Sequence, residues 1–203
     1  GNMLEVRNPA DESVVGQCPT ADLALLDRAV AAARKAQPAW AALSFEERAR
    51  VMRRVLQGLL DRQEECIEVV LRETGKARSE ALMMEIFASG DSLNYYAKHA
   101  ARILRSQKVR LHGMLRFMKK VRIVYRPLGV VGIISPWNGP FILSMNPTVQ
   151  ALMAGNAVLL KPSEVTPFSG RLVGDLFEAA GLPEGLLQVL LGDGETGAAL
   201  AAD

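Results

Sequence analysis

The chain has 203 residues, 49% of them apolar and 23% charged, the balance of a globular protein able to bury a sizeable core. Twenty-four basic residues against twenty-two acidic ones leave a formal charge of +2, so whole-chain charge predicts no nucleic-acid partner. Two cysteines, Cys18 and Cys66, are too few for a disulfide scaffold and suit a reducing compartment. No stretch approaches the roughly eighteen apolar residues of a membrane span, and the first residues lack the apolar core of a signal peptide. A cytoplasmic protein without a membrane partner is expected.

Residues 20 to about 105 read as helices. Leu23, Leu26, Val30 and Ala33 share one face, and Pro38 is expected to end or kink that helix. Ser44-Phe45-Glu46-Glu47 has the spacing of a capping box, in which each end's side chain caps the other's backbone N–H. Val51, Val55 and Leu59 follow at intervals of four. Asp61 is expected to open another helix, carrying Ile67, Val70 and Leu71 and stopping at Gly75, a suitable left-handed cap. A third pattern, from about Ser79 to Leu104, carries Leu82, Ile86, Leu93 and Tyr96. These helices read as core, with no chemistry visible in them.

Between Arg102 and Arg126 lie nine basic residues and no acidic one. From Leu115 the period is two: Leu115, Phe117, Val121, Ile123 and Tyr125 on one face, Arg116, Lys120, Arg122 and Arg126 on the other. That is the pattern of a half-buried antiparallel strand or hairpin. A phosphate-binding arm would carry such charge, and so would a solvated strand face that discourages aggregation; the alternation favours the latter.

From Leu128 the pattern is strand, helix, strand, helix, strand. The strands are Val130–Ile134, Ala157–Leu160 and Leu186–Leu191, with helices from about Phe141 to Ala154 and from Thr166-Pro167 to Gly181. Such alternation implies a parallel sheet with right-handed crossovers, whose ligands lie at the carboxyl ends of the strands. Three units follow: helices over 1–106, a basic β-ribbon over 107–127, and the parallel sheet over 128–203.

Each strand end carries unusual residues. The first is Ser135-Pro136-Trp137-Asn138-Gly139-Pro140, where two prolines stiffen a turn around an Asn. Its amide could stabilise an oxyanion or simply close an Asx-turn. The second, Lys161-Pro162-Ser163-Glu164, offers a cation, a hydroxyl and a carboxylate, which could hold ribose hydroxyls or cap the next helix. The third is Gly192-Asp193-Gly194-Glu195-Thr196-Gly197, a literal G-x-G-x-x-G between a strand and a helix. It follows the third strand of the unit, and the acidic partner expected about twenty residues later lies past the last residue, so a glycine-rich turn reads equally well.

Taken in order, Tyr125-Arg126-Pro127-Leu128-Gly129-Val130-Val131-Gly132, Pro136-Trp137-Asn138, Lys161-Pro162-Ser163-Glu164-Val165-Thr166-Pro167 and Ala180-Gly181-Leu182-Pro183-Glu184-Gly185 resemble the aldehyde dehydrogenase superfamily. Asn8-Pro9-Ala10, Trp40 and Glu73-Thr74-Gly75-Lys76 look like the same family. The resemblance implies an α/β fold: N-terminal helices and the first three strands of a Rossmann-like parallel sheet, with an antiparallel oligomerisation ribbon. It implies an aldehyde substrate, a cysteine that attacks it, NAD(P) as hydride acceptor and a glutamate-activated water. Asn138 matches the oxyanion asparagine. Ile134, Ser135, Pro136 and Trp137 match the segment lining the cofactor site, Lys161, Ser163 and Glu164 the adenosine-ribose contacts, and Gly194 the loop near the adenine. A glutamate at Glu164 favours NAD and admits NADP. Residues 107–127 match the ribbon through which members form homo-oligomers, in keeping with the bland reading of its charges.

Two departures stand out: Pro147 occupies the position of a relay lysine in many members, and Gly139 that of a larger residue. The chain is less than half as long as a family member, and the cysteine and glutamate motifs are expected after Asp203. Cys66 sits among Glu64, Glu65 and Glu68, a setting that raises a thiol pKa, and neither cysteine fits the nucleophile's part. His99 and His112 read as surface histidines. The 203 residues alone are expected to be inactive. The competing readings are a naturally short, non-catalytic protein that binds nucleotide or pairs with another subunit, and a binder of nucleic acid or anionic surfaces through residues 102–126.

Overall fold

The computed structural model describes residues 3–202. A hairpin of β1 (Met3–Arg7) and β2 (Val14–Pro19) precedes α1 (Leu23–Ala42), α2 (Phe45–Asp61) and α3 (Gln63–Thr74). Next, α4 (Arg78–Glu80), a π-helical stretch (Ala81–Phe87) and α5 (Ala88–Ile103) run on as one helix. A ribbon of β3 (Gln107–Val109) and β4 (Val121–Ile123) flanks a helical turn, α6 (Leu115–Met118). The rest alternates: β5 (Val130–Ile134), α7 (Ile142–Met153), β6 (Ala157–Lys161), α8 (Pro167–Ala179), β7 (Leu187–Val189) and α9 (Gly194–Ala202).

The last three strands are parallel in the order β5-β6-β7, with Ile134 opposite Lys161. Both crossovers advance in the same direction, so right-handedness carries α7 and α8 over one face. Helix α1 runs across all three strands, while α2 packs on α5, α7 and α8. Every residue of β6 is buried, as a central parallel strand covered on both faces must be.

The helix ends follow local chemistry. Ser44 and Glu47 form the capping box, the Ser44 N–H donating to Glu47 Oε2 at 2.7 Å. Gly75 takes φ +67° and its N–H donates to the Leu71 carbonyl; the left-handed backbone suits glycine. Pro38, however, does not end α1, which continues to Ala42; tertiary packing there outweighs the local penalty. Trp40 is 1% exposed and its indole N–H donates to the Leu152 carbonyl at 2.8 Å. Arg48, 5% exposed, donates to the carbonyls of Leu43 (2.6 Å) and Met153 (3.2 Å), tying the ends of α1 and α7 together. Leu23, placed on the buried face of α1 by its spacing, is 67% exposed. Asp61 closes α2 rather than opening α3; its carboxylate accepts from Gln57 Nε2.

The basic segment departs furthest from its periodicity. The antiparallel ribbon is present, but residues 115–118 are a helical turn, and both short strands are exposed along their length. Alternation records which side chains are apolar; it cannot show that no layer covers them. Among the described residues no helix is long and apolar enough to cross a membrane.

Candidate active site

Strands β5 and β6 end side by side, and the Ser135 N–H extends their ladder to the Lys161 carbonyl at 3.0 Å. Ile134 is about half exposed beside this end. The Ser135 hydroxyl turns inward: Ser144 Oγ donates to the Pro140 carbonyl at 2.6 Å, so Ser135 Oγ donates to Ser144 Oγ at 2.8 Å. Ser135 is therefore buried with both its N–H and its hydroxyl engaged within the chain. Pro136, Trp137 and Asn138 are exposed. The Asn138 carboxamide takes no hydrogen-bond partner among the described residues, whereas its backbone carbonyl accepts from Lys76 Nζ at 2.7 Å. An Asx-turn would have occupied that carboxamide.

Asn138 and Trp137 line a cavity of about 450 Å³ together with Arg7, Glu73, Lys76 and Thr166. On the neighbouring strand Lys161 is 3% exposed, and its ammonium donates to Glu164 Oε2 at 3.2 Å. The carboxyl of Glu164 is held below the usual range chiefly by its own backbone N–H; burial opposes this, and Lys161 adds smaller downward pulls. Ser163 Oγ accepts from the Val165 N–H at 3.5 Å, the long end of a turn hydrogen bond.

The third strand end answers the question left open by the glycine pattern. Asp193 Oδ1 accepts from the N–H groups of Glu195 (3.0 Å) and Thr196 (3.3 Å). The first amides of α9 are thus occupied by a carboxylate, which also repels phosphate; the fingerprint's pyrophosphate cradle does not form here. Gly194 is exposed at the start of that helix. Gly197 is the more telling glycine. A Cβ there would stand 3.8 Å from Lys161 Cδ and 4.0 Å from Ile134 Cδ1, ordinary contact distances, so α9 lies against the ends of β5 and β6 at this buried residue.

Neither thiol is accessible in this setting. Both cysteines are buried. Burial pushes the Cys66 thiol up to about 12, with Glu65 adding a smaller push and Arg62 opposing it; burial, more than the flanking glutamates, is the cause. Burial and then Glu73 raise Cys18. Among the described residues no cluster of His, Cys, Asp and Glu is placed to hold a metal ion.

A family model described as the aldehyde dehydrogenase family matches residues 1–203. The chain belongs to that family. It is 42% identical over 193 residues to the 4,4'-diapolycopene aldehyde oxidase of Methylomonas sp, covering 95% of this chain and 36% of that protein. It superimposes with a TM-score of 0.91 at 34% identity on a Mycobacterium tuberculosis aldehyde dehydrogenase complexed with NAD+, covering 100% of this chain and 41% of that one. A NAD-dependent benzaldehyde dehydrogenase from Corynebacterium glutamicum gives a TM-score of 0.85 at 34% identity, with 96% and 41% covered. The chain thus spans about two fifths of the length of these relatives.

Two buried carboxylates that tie distant segments together have no counterpart among the candidate site residues singled out from the sequence. Glu73, 3% exposed at the end of α3, accepts from the Phe168 N–H (2.6 Å), the Ser169 N–H (2.7 Å) and Ser169 Oγ (2.5 Å) at the start of α8. Glu85, 1% exposed, pairs with Lys76 and accepts from the Phe141 N–H at 2.9 Å. The Glu73-Thr74-Gly75-Lys76 string was the available signal for the first; nothing local marks Glu85, whose neighbours in sequence are apolar.

Proposed function

We propose that these residues form the cofactor-binding part of an NAD(P)-dependent aldehyde dehydrogenase that oxidises an aldehyde to a carboxylic acid. The observation that carries this is an exposed carboxamide, Asn138, unengaged among the described residues, in the loop that follows β5, while the neighbouring strand β6 ends in the Lys161–Glu164 pair. Parallel strand ends are where such sheets bind nucleotides.

The residues fit a nicotinamide dinucleotide. Glu164 is a carboxylate with two acceptor oxygens for the hydroxyls of one ribose, and Lys161 supplies a donor to the same sugar. The negative charge of Glu164 disfavours a 2′-phosphate, so NAD is preferred over NADP. When bound, the nicotinamide would accept the hydride of the aldehyde. Asn138 would donate an N–H to the aldehyde oxygen as it becomes anionic under attack by a cysteine thiolate, in a path that ends with hydrolysis of a thioester. Cys18 and Cys66 are both buried with raised pKa values, and neither takes that part. We further propose that residues 107–127 pair with another copy of the chain, which the exposure of Met114, Phe117 and Met118 supports.

Asn138→Ala in the full-length gene product tests the reading through aldehyde-dependent NADH formation. Loss of one oxyanion donor costs on the order of 10²–10³ in kcat, with cofactor affinity unchanged. Near-native turnover would leave Asn138 as a loop residue and remove the assignment.

A further inference from the structure

We propose that Lys76 and Glu85 are positioning residues for Asn138, an ionic clamp that holds the loop between β5 and α7 so that the carboxamide faces the cleft. The inference rests on the oxyanion role proposed above. On its helix side the loop is held from within, the Gly139 carbonyl accepting from the Leu143 N–H at 2.9 Å and the Pro140 carbonyl from Ser144 Oγ at 2.6 Å, but Pro136 and Pro140 lack N–H groups to hold it further. Two grips from elsewhere in the chain add to these. Lys76 Nζ donates to the Asn138 carbonyl at 2.7 Å, and Glu85 Oε2 accepts from the Phe141 N–H at 2.9 Å. The other Glu85 oxygen pairs with Lys76 Nζ. Asn138, Lys76, Glu85 and Phe141 thus close a ring across Gly139 and Pro140, with the backbone on both sides of that pair held.

Glu85 is buried at 1% exposure and the Lys76 side chain is partly buried at 16%. Burying such a pair gains little stability over an apolar pair of the same volume, because desolvation offsets the attraction. What it supplies is geometry. It fixes the direction in which the Asn138 side chain leaves the backbone, and a displacement of about 1 Å at a reacting group costs about 10²-fold in rate. Glu85 reaches the loop from the π-helical stretch Ala81–Phe87, between α4 and α5; such widened turns re-aim a side chain and recur at functional sites. The same Glu73–Lys76 turn reaches the other way as well, through Glu73 to the first turn of α8. That second arm steadies the loop after Glu164 and serves as an internal contrast.

The test is a double-mutant cycle in the full-length gene product, with Lys76→Met, Glu85→Gln and Asn138→Ala alone and in pairs. Lys76→Met is expected to lower kcat by about 10- to 100-fold with the KM for NAD within about two-fold. In the Asn138→Ala background the same substitution should cost less than about three-fold, because the group it positions is gone. Lys76→Met leaves the Glu85 carboxylate buried without a cation and should lower Tm; adding Glu85→Gln should restore Tm but not turnover. Amide exchange at Phe141 should quicken in Lys76→Met while α3 and α8 stay protected. The proposal is overturned if turnover returns with Tm in the Lys76→Met/Glu85→Gln pair, if Lys76→Met costs the same with and without Asn138, or if exchange at Phe141 is unchanged. Near-native turnover in Asn138→Ala alone would instead overturn the oxyanion reading, and this inference with it.

Discussion

Replacing Glu73 with Gln isolates one buried carboxyl whose protonation is linked to folding. Its side chain is nearly enclosed and meets three donors at the start of α8. Burial nevertheless pushes its pKa from 4.5 up to about 7; the donors of Phe168 and Ser169 pull the other way and Glu85 adds a further upward push. A folded-state pKa above the unfolded one means that the native protein binds the proton more tightly. The associated stability is fully present below about pH 4.5 and is lost as pH rises through about 7. At about 1.36 kcal/mol per pKa unit, the interval corresponds to about 3 kcal/mol. Gln keeps the shape and does not ionise; its single carbonyl oxygen accepts from only one of the two backbone N–H groups, which Glu73 meets with different oxygens, so the variant carries a pH-independent loss and the comparison rests on the pH slope. Urea unfolding of the wild type and Glu73→Gln, measured from pH 5 to pH 8, should therefore show the wild type losing about 2.5 kcal/mol relative to the variant, the rest of the interval lying below pH 5. Parallel curves would refute the reasoning. A relative gain by the wild type would show that the three donors outweigh burial.

Glu164→Gln in the full-length gene product should weaken NAD binding and narrow the discrimination against NADP, read from the Kd of each cofactor; unchanged values would remove Glu164 from the ribose site. Trp40→Phe deletes the N–H that reaches the Leu152 carbonyl at 2.8 Å and should lower stability by about 1–3 kcal/mol in urea unfolding; a variant as stable as the wild type would mean that water replaces the bond. The nine basic residues between Arg102 and Arg126 should bind random duplex DNA weakly and without a steep salt dependence. A slope matching about six released counterions would revive the nucleic-acid reading.

Some of the architecture is local in origin and was legible without coordinates. The Ser44–Glu47 box, the Gly75 cap and the alternation of apolar strands with helices from Val130 onward depend on neighbours within a few residues. Short-range chemistry was enough to set them. The motif strings at the ends of β5 and β6 were equally visible, and with them the family.

Contacts between distant segments were not visible, because periodicity carries no information about what covers a face or who answers a charge. Pro38 reads as a break only until the α1 packing that carries the helix through it is known. Residues 115–118 alternate like a strand yet form a helical turn on an exposed ribbon. The sixth residue of a glycine-rich string, Gly197, packs against Lys161 and Ile134 at the ends of β6 and β5, while Asp193 within it closes the helix terminus that the pattern advertises. Lys76 is 62 residues from Asn138 and nine from Glu85. The sequence by itself determined the elements and the chemical groups available at their ends. Only the tertiary structure decided which groups are held, which are spent on one another, and that the Asn138 carboxamide is left unengaged, since each of these is a matter of distance between segments the chain does not connect directly.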